Sequence, residues 1–319
     1  MSISIVIRAY NEAENIGRLL FGITEQTRKD VEIILVDSGS TDGTVEIASQ
    51  YPVKIEHITP EEFTFGRSLN RGIAASTGDI IVITSAHCFP VYPDWLEQLT
   101  KPLVDESVAL SYGKQRSGST NHYSEGQFFK KYFPEHSVLQ QAQPYSHNAN
   151  AAIRRELWSQ HPYSEKLTGL EDLAWSSWAM DTGYTIAYVA EAEVIHKHDE
   201  TFPQVYKRYK REAIALKQIL PESRFTLLDF ARSWLRDTLS DLNQARHEGV
   251  LFKQFLPILR FRLVQYWGTY QGYHYSGKIN AQLHRTFYYP SYILNEKKPK
   301  PRPIQPIEYK EDSDFQKEN

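Results

Sequence analysis

The sequence predicts an α/β fold: a doubly wound, mostly parallel sheet flanked by helices, followed by a C-terminal helical appendage. Three observations carry that reading. Short runs of β-branched residues alternate with stretches of helical period through roughly the first 200 residues. Several runs stop abruptly in small and polar residues, as buried parallel strands do at the carboxyl edge of an open sheet, where ligands bind. Beyond Phe202 only helical periodicity remains.

Ser2–Arg8 reads as the first strand, and Asn11 or Glu12 opens a helix with apolar positions Ile16, Leu19, Leu20 and Ile23. Val31–Val36 is a second buried strand. The loop Asp37-Ser-Gly-Ser-Thr-Asp42-Gly-Thr closes it and caps a helix over roughly Thr44–Gln50. Val53–Ile58 is a third strand, a helix follows from about Gly66 to Ser76, and the central strand is Ile80–Thr84. That strand delivers Ser85, Ala86 and His87 to the sheet edge. Pro93-Asp94-Trp95-Leu96 starts another helix, with proline near its first turn. Val108–Tyr112 is a strand, and Gln115–Phe133, rich in Gly, Ser, Asn and Tyr, reads as a mobile segment. Asn148–Arg154 is a strand leading into Arg155–Gln160. Glu171-Asp172 opens a helix whose apolar face holds Leu173, Trp175, Trp178 and Ala179, a buried stripe rather than a sugar platform. Tyr184–Ile195 is the last strand, closing on His196-Lys-His198.

Phe202–Leu220, Thr226–His247 and Phe252–Tyr270 are helical, and Lys297–Pro306 alternates Pro with Lys and Arg before a charged end. The expected division is an α/β domain over residues 1–200, a helical region over 201–295 and a disordered tail over 296–319.

Composition narrows the function. With 41% hydrophobic and 24% charged residues, wholesale disorder is excluded. The single cysteine, Cys88, rules out an intrachain disulfide, fits a reducing compartment and reads as a small core filler. No apolar run approaches the roughly 20 residues that span a bilayer. Met1 leads straight into a strand without a basic region or cleavage site, so the expectation is a cytoplasmic protein without a secretory signal. The net charge of −3 hides an asymmetry, since residues 204–303 carry 18 Lys/Arg against 7 Asp/Glu. Such a basic, aromatic-rich region suits an anionic membrane surface, a nucleic acid or a phosphorylated substrate; a solvated helical face is the plainer reading.

Four constellations carry chemistry. Ala9-Tyr10-Asn11-Glu12 follows the first strand, where polar groups beside a helix N-terminus suit a nucleotide, although Asn-Glu is also an ordinary cap. Asp37 ends the second strand and can accept from a base or ribose, while Asp42 reads as a cap. Arg67 and Asn70 lie one helical turn apart on one face, where an arginine can stack on a base or neutralise a diphosphate. Ser85 with His87, Glu171 with Asp172, and His196 with His198 each stand at a sheet edge, offering a carboxylate base and imidazoles able to hold a divalent cation. His147 and Asn150 begin an acceptor-side strand, though Asn there also simply forms turns.

In this order, Ile-Val-Ile-Arg-Ala-Tyr-Asn-Glu, Val-Asp-Ser-Gly-Ser-Thr-Asp-Gly-Thr, Leu-Asn-Arg-Gly-Ile-Ala-Ala-Ser-Thr-Gly-Asp-Ile and Gly-Leu-Glu-Asp resemble family 2 of the inverting glycosyltransferases, with the GT-A fold, over residues 2–200. Phe-Gly-Arg-Ser-Leu-Asn-Arg-Gly and Arg260-Phe-Arg-Leu-Val-Gln-Tyr-Trp are similar to the rhamnosyltransferase-like branch. The resemblance implies a nucleotide-sugar-binding and catalytic domain in which Ala9, Asn11 and Glu12 line the nucleotide pocket, with Asp37 and Arg67 near the base. It implies that Asp172 is the catalytic base, with Glu171 orienting the acceptor or the base. The departure is that the family's Asp-x-Asp metal tripeptide is replaced by Ser85-Ala86-His87. Either His87 with His196 or His198 holds a divalent cation such as Mn or Mg, or the reaction runs without metal and cationic side chains carry the charge.

The expected activity is transfer from a nucleotide-sugar donor to a hydroxyl of a glycan or lipid-linked acceptor in surface polysaccharide synthesis. The protein would work on the inner membrane face through its basic helices. A non-catalytic nucleotide-sugar or glycan-binding protein is the alternative. A dinucleotide oxidoreductase is disfavoured because no Gly-x-Gly-x-x-Gly follows the first strand, and nucleic-acid binding because no recognised module is present.

Overall fold

The computed structural model describes residues 1–59, 62–275 and 304–309. Alternating side chains along the first strands build the sheet and its two faces at once. In β1 (Ile3–Ala9), Ile3, Ile5, Ile7 and Ala9 enter one core, while Val6 enters the other. After α1 (Ala13–Thr24), β2 (Val31–Asp37) splits the same way, Ile33 and Leu35 against Ile34 and Val36. Then come α2 (Thr44–Ala48), β3 (Lys54–His57), α3 (Phe65–Ala74) and β4 (Ile80–Ser85). Burial on both sides is why these strands read as near-continuous apolar runs. Ile16, Leu19, Leu20 and Ile23 of α1 cover the first face; Leu69 and Ile73 of α3 cover the second.

The later elements are β5 (Cys88–Pro90), α4 (Trp95–Thr100), a 3₁₀ turn (Lys101–Val104), β6 (Val108–Ser117), α5 (Tyr123–Tyr132), β7 (Asn150–Arg154), α6 (Arg155–Gln160), α7 (Glu171–Asp181) and β8 (Thr185–His196). The sheet has eight strands in the order β3-β2-β1-β4-β7-β6-β8-β5. β1 pairs in parallel with β2 and β4, β2 with β3, and β6 with β8, whereas β7 is antiparallel to both neighbours and β5 to β8. The mostly parallel α/β sheet expected from the sequence is therefore present, and its carboxyl edge gathers the ends of β1, β4 and β8.

Two expectations fail. The segment read as mobile, Gln115–Phe133, is largely regular: β6 runs on to Ser117, in register with His196 of β8, and α5 follows. Phe129, Tyr132 and Phe133 sink into the second core, which fixes α5 despite its polar exterior. The tail expected to be disordered is ordered over 304–309. There the amide of Ile307 donates to the Val91 carbonyl, Tyr309 donates to the Pro90 carbonyl, and its ring meets Phe21 edge-on. The rest of that tail, and residues 276–295 of the expected helical region, lie outside the described residues.

Three helices complete the described chain: α8 (Phe202–Ile219), α9 (Leu227–His247) and α10 (Leu251–Tyr273). Thr201 and Thr226 cap α8 and α9 through capping boxes. α10 packs closely on α8 because Gly268 leaves room for the Tyr206 carbonyl, which a Cβ would approach to 2.7 Å. Arg262 of α10 makes a two-point ion pair with Asp241 of α9 at 2.8 and 3.0 Å and also donates to the Ser124 carbonyl of α5. The appendage is thus bolted to α5 through a buried guanidinium. No described helix is long and apolar enough to cross a membrane.

Candidate active site

The carboxyl edge of the sheet opens into a cavity of about 560 Å³, floored by the ends of β1, β4 and β8 and roofed by the start of α7 and one face of α8. Asn11, Glu12, Ser85, His87, His147, Glu171, Asp172, His196 and His198 all border it. Those nine positions come from distant stretches of chain, and the sheet topology alone brings them together.

Two non-glycine residues in the left-handed region, Asn11 (φ 54°) and Leu170 (φ 56°), stand on its rim. Such a conformation costs about 1–3 kcal/mol and persists where surroundings over-determine it, typically at functional sites. Asn11 is held by its amide donating to Ser40 Oγ and its side-chain oxygen accepting from the Thr41 amide, which ties the β1 loop to the β2 loop. Leu170 turns the chain so that Glu171 and Asp172 face the cavity from the first turn of α7.

The two acids have different partners. Glu171 accepts from Arg8 Nη1 at 3.2 Å and from Asn148 Nδ2 at 3.3 Å, in a nearly dry setting. Asp172 accepts from the Asn148 and Leu173 amides at 3.2 and 2.8 Å. Burial, followed by the neighbouring Glu171 charge, pushes Asp172 up to about 7. One acid is paired with a guanidinium; the other is poised to exchange a proton near neutrality.

Opposite them lie the histidines. His87 Nδ1 is 2.6 Å from Glu12 Oε1, His196 Nδ1 2.7 Å from Gln115 Oε1 and His198 Nδ1 2.7 Å from Glu125 Oε1. One ring nitrogen from each lies within 4.8 Å of the other two. Burial lowers His196 well below its ordinary value and His147 to about 3, the latter also facing His198 and Arg208, so neither supplies charge at neutral pH. For Glu12, burial alone would raise the pKa, and the His87 hydrogen bond and charge more than offset it. Glu125 is likewise raised by burial yet brought to about 2 by His198 and Arg208.

Five expected site residues do not border the cavity. Ala9 packs into the first core, because it points inward along β1. Asp37 is buried, and its carboxylate accepts from the Gly39 and Ser40 amides, shaping the turn after β2 beside the cavity. Arg67 and Asn70 do share a helix face, but both turn to Glu165, at 2.9 and 3.1 Å, and Asn70 also accepts from Trp158 and Tyr163. Asn150 is fully buried, accepting from Trp95 Nε1 and donating to the Lys114 and Ala192 carbonyls. These asparagines hold loops, since an amide can satisfy two backbone groups at once.

Sequence reasoning missed Arg8, Glu125, Gln115 and Arg208. Arg8 carried a signal, a lone cation in the apolar strand Ile-Ser-Ile-Val-Ile-Arg-Ala. Arg208 joins Glu125 and Glu200, each at 2.6 Å, from α8, with nothing in the sequence to connect them.

Comparison with known proteins agrees with this fold. Residues 4–161 match the family described as Glycosyl transferase family 2. The chain is 27% identical over 206 residues to Glycosyltransferase AglE of Haloferax volcanii, covering 61% of this chain and 66% of that one. It is 28% identical over 222 residues to the O-antigen chain rhamnosyltransferase WbaN of Salmonella anatum, covering 65% and 70%. In structure it resembles the mannosyltransferase PcManGT of Pyrobaculum calidifontis, solved with GDP-Man and Mn²⁺, at a TM-score of 0.56 and 20% identity over 85% of this chain and 84% of that one. Glucosyl-3-phosphoglycerate synthase of Mycobacterium tuberculosis gives a TM-score of 0.52 at 24% identity, over 68% and 79%. The shared fold is that of GT-A glycosyltransferases.

Proposed function

The chain carries a glycosyl transferase family 2 domain, and from that premise we propose that it moves a sugar, with inversion, from a nucleotide-sugar donor to a hydroxyl of a glycan or lipid-linked acceptor. The observation that carries the reading is Asp172, a carboxylate raised to about 7 and facing the ends of β1 and β4 across one cavity. A base of that pKa can take the acceptor proton as the oxygen attacks the anomeric carbon, because proton transfer is most efficient near the operating pH. Glu171, ion-paired with Arg8, holds Asn148, whose amide in turn positions Asp172. The leaving diphosphate accumulates negative charge. A divalent cation at His87, His196 and His198 supplies the counter-charge when bound, and Arg8 and Arg208 add fixed positive charge at the walls.

The acceptor side is proposed to lie at a membrane. Leu228, Leu235 and Leu239 on α9, and Phe252, Leu256 and Leu263 on α10, are exposed apolar residues at helical spacing, Phe252 completely and Leu256 to 71%. Arg232, Arg246, Lys253 and Arg260 are exposed among them. Apolar side chains flanked by cations suit the headgroup region of an anionic bilayer, which supports a peripheral position on the inner membrane face and a role in surface polysaccharide synthesis.

A nucleotide-sugar panel read by thermal shift identifies the donor, and transfer with that donor, followed by the anomeric configuration of the product, tests the activity. Donor binding without transfer or hydrolysis would favour a non-catalytic binding protein instead. For the membrane, Phe252→Ser with Leu256→Ser should reduce sedimentation with phosphatidylglycerol vesicles, salt should weaken it further, and unchanged binding would remove the proposal.

A further inference from the structure

We propose that His87, His196 and His198 form a three-imidazole centre selective for a borderline divalent transition ion such as Zn²⁺ or Co²⁺ over Mg²⁺. Glu12, Gln115 and Glu125 are its positioning residues. The use of that ion rests on the transferase reading above; its binding does not.

The argument is one of tautomers. Each of the three Nδ1 atoms faces an oxygen that only accepts: carboxylates of Glu12 and Glu125, and the amide oxygen of Gln115. In the neutral imidazole Nδ1 therefore carries the hydrogen, and the lone pair is left on Nε2 in each of the three rings. An imidazole that donates one N–H to an oxygen while its other nitrogen stays free is the arrangement that orients a metal ligand. His147 provides the contrast within the same cavity. Its Nδ1 accepts the Ala149 amide at 3.2 Å, so its hydrogen sits on Nε2 and it cannot ligate through that atom. One ring nitrogen from each of these three histidines lies within 4.8 Å of the other two, and the neighbouring fourth histidine adopts the other tautomer.

A second grouping, Glu125, His198 and Glu200, also brings one possible ligand atom from each within 4.8 Å of the others. Arg208 already bridges both of its carboxylates at 2.6 Å, and a fixed guanidinium opposes a cation there. The ion belongs on the imidazole side.

Donor chemistry sets the selectivity. Mg²⁺ prefers six oxygens, whereas imidazole suits zinc, iron, nickel and copper, with affinity rising from Mn²⁺ toward Cu²⁺. Three nitrogens leave further coordination positions for the oxygens of a ligand. Glu12, expected to line a nucleotide pocket, gives one carboxylate oxygen to His87 and the other to Asn15, so the loop after β1 serves the ion as well as the cavity wall.

The test is calorimetric titration of the full chain, stripped with EDTA and free of any donor, with Zn²⁺, Co²⁺, Mn²⁺ and Mg²⁺ in turn. The visible spectrum of Co²⁺ is read in parallel as a ligand-field signature. One ion per chain is expected, with Zn²⁺ and Co²⁺ binding on the order of 100-fold tighter than Mg²⁺. His87→Gln and His198→Ala should each abolish the cobalt spectrum, and Gln115→Leu should weaken binding about 10–100-fold at unchanged stoichiometry. Circular dichroism of each metal-free variant verifies folding, and His87→Gln, at a partly exposed position, guards against a collapsed His198→Ala. Absence of Zn²⁺ and Co²⁺ binding, Mg²⁺ binding of equal strength, or an undiminished cobalt spectrum in His87→Gln would overturn the centre. Unchanged affinity in Gln115→Leu would overturn the positioning role. Sugar transfer that persists in EDTA would remove the ion's use in the reaction and leave the transferase reading standing; ion binding without any donor binding or transfer would leave the centre standing and remove that reading.

Discussion

Replacing Asp172 by Asn separates chemistry from stability in one variant. Moving the carboxylate from its ordinary 3.8 to about 7 corresponds to ~4 kcal/mol against its ionised form, an upper bound because the cavity opens to solvent. The sign follows from proton counting. A native state that holds the proton more tightly than the unfolded chain loses stability as pH rises from about 4 to about 7, and is level above that. Asn cannot ionise, so it should be spared that decline, and at pH 8 its thermal midpoint should exceed wild type by a few degrees. Turnover should move the other way. Loss of a general base costs about 10²–10⁴-fold, with donor affinity kept, and the wild-type kcat/KM should rise with pH along a limb centred near 7. Transfer by Asp172→Asn within tenfold of wild type, or a wild-type profile flat between pH 5 and 9, would refute the assignment.

Two further outcomes follow from buried charge. Arg8→Met strands Glu171 in a nearly dry site, so a loss of about 3–5 kcal/mol is expected by denaturant unfolding; because Arg8 also lowers Asp172, the acid limb of kcat/KM should shift upward in the same variant. Arg262→Met should destabilise by a similar ~3–5 kcal/mol, and adding Asp241→Leu should restore most of it, since the damage lies in the orphaned carboxylate.

The sequence made the sheet legible wherever burial was symmetrical. Ile80–Thr84 and Val31–Val36 are apolar on both faces, and their abrupt polar ends marked the edge where ligands bind. It failed where tertiary contacts decide. β5 is three residues whose strand pairing is with β8, and α5 mixes Phe128, Phe129 and Tyr132 with Ser, Gln and Lys, so neither has a clean period. At the site, the histidines at the strand ends and the Glu171-Asp172 pair at the head of a helix stood out as ionisable groups bordering apolar segments. Arg67, Asn70 and Asn150 looked equally polar and turned out to clamp loops, a distinction that depends on Glu165, Trp158 and Trp95, up to about a hundred residues away.

The seat of Tyr309 alters how truncations of this protein are to be judged. Its ring fits over Gly22 and beside Phe89 with Arg18 above it, against the first core of the sheet. Cutting away the last residues to obtain a tidier sample therefore uncovers an oily notch next to β5, and any change in solubility or vesicle association must be attributed to that notch before the helices are credited. Point substitutions on α9 and α10 leave the notch filled, and tags are better carried at the opposite terminus.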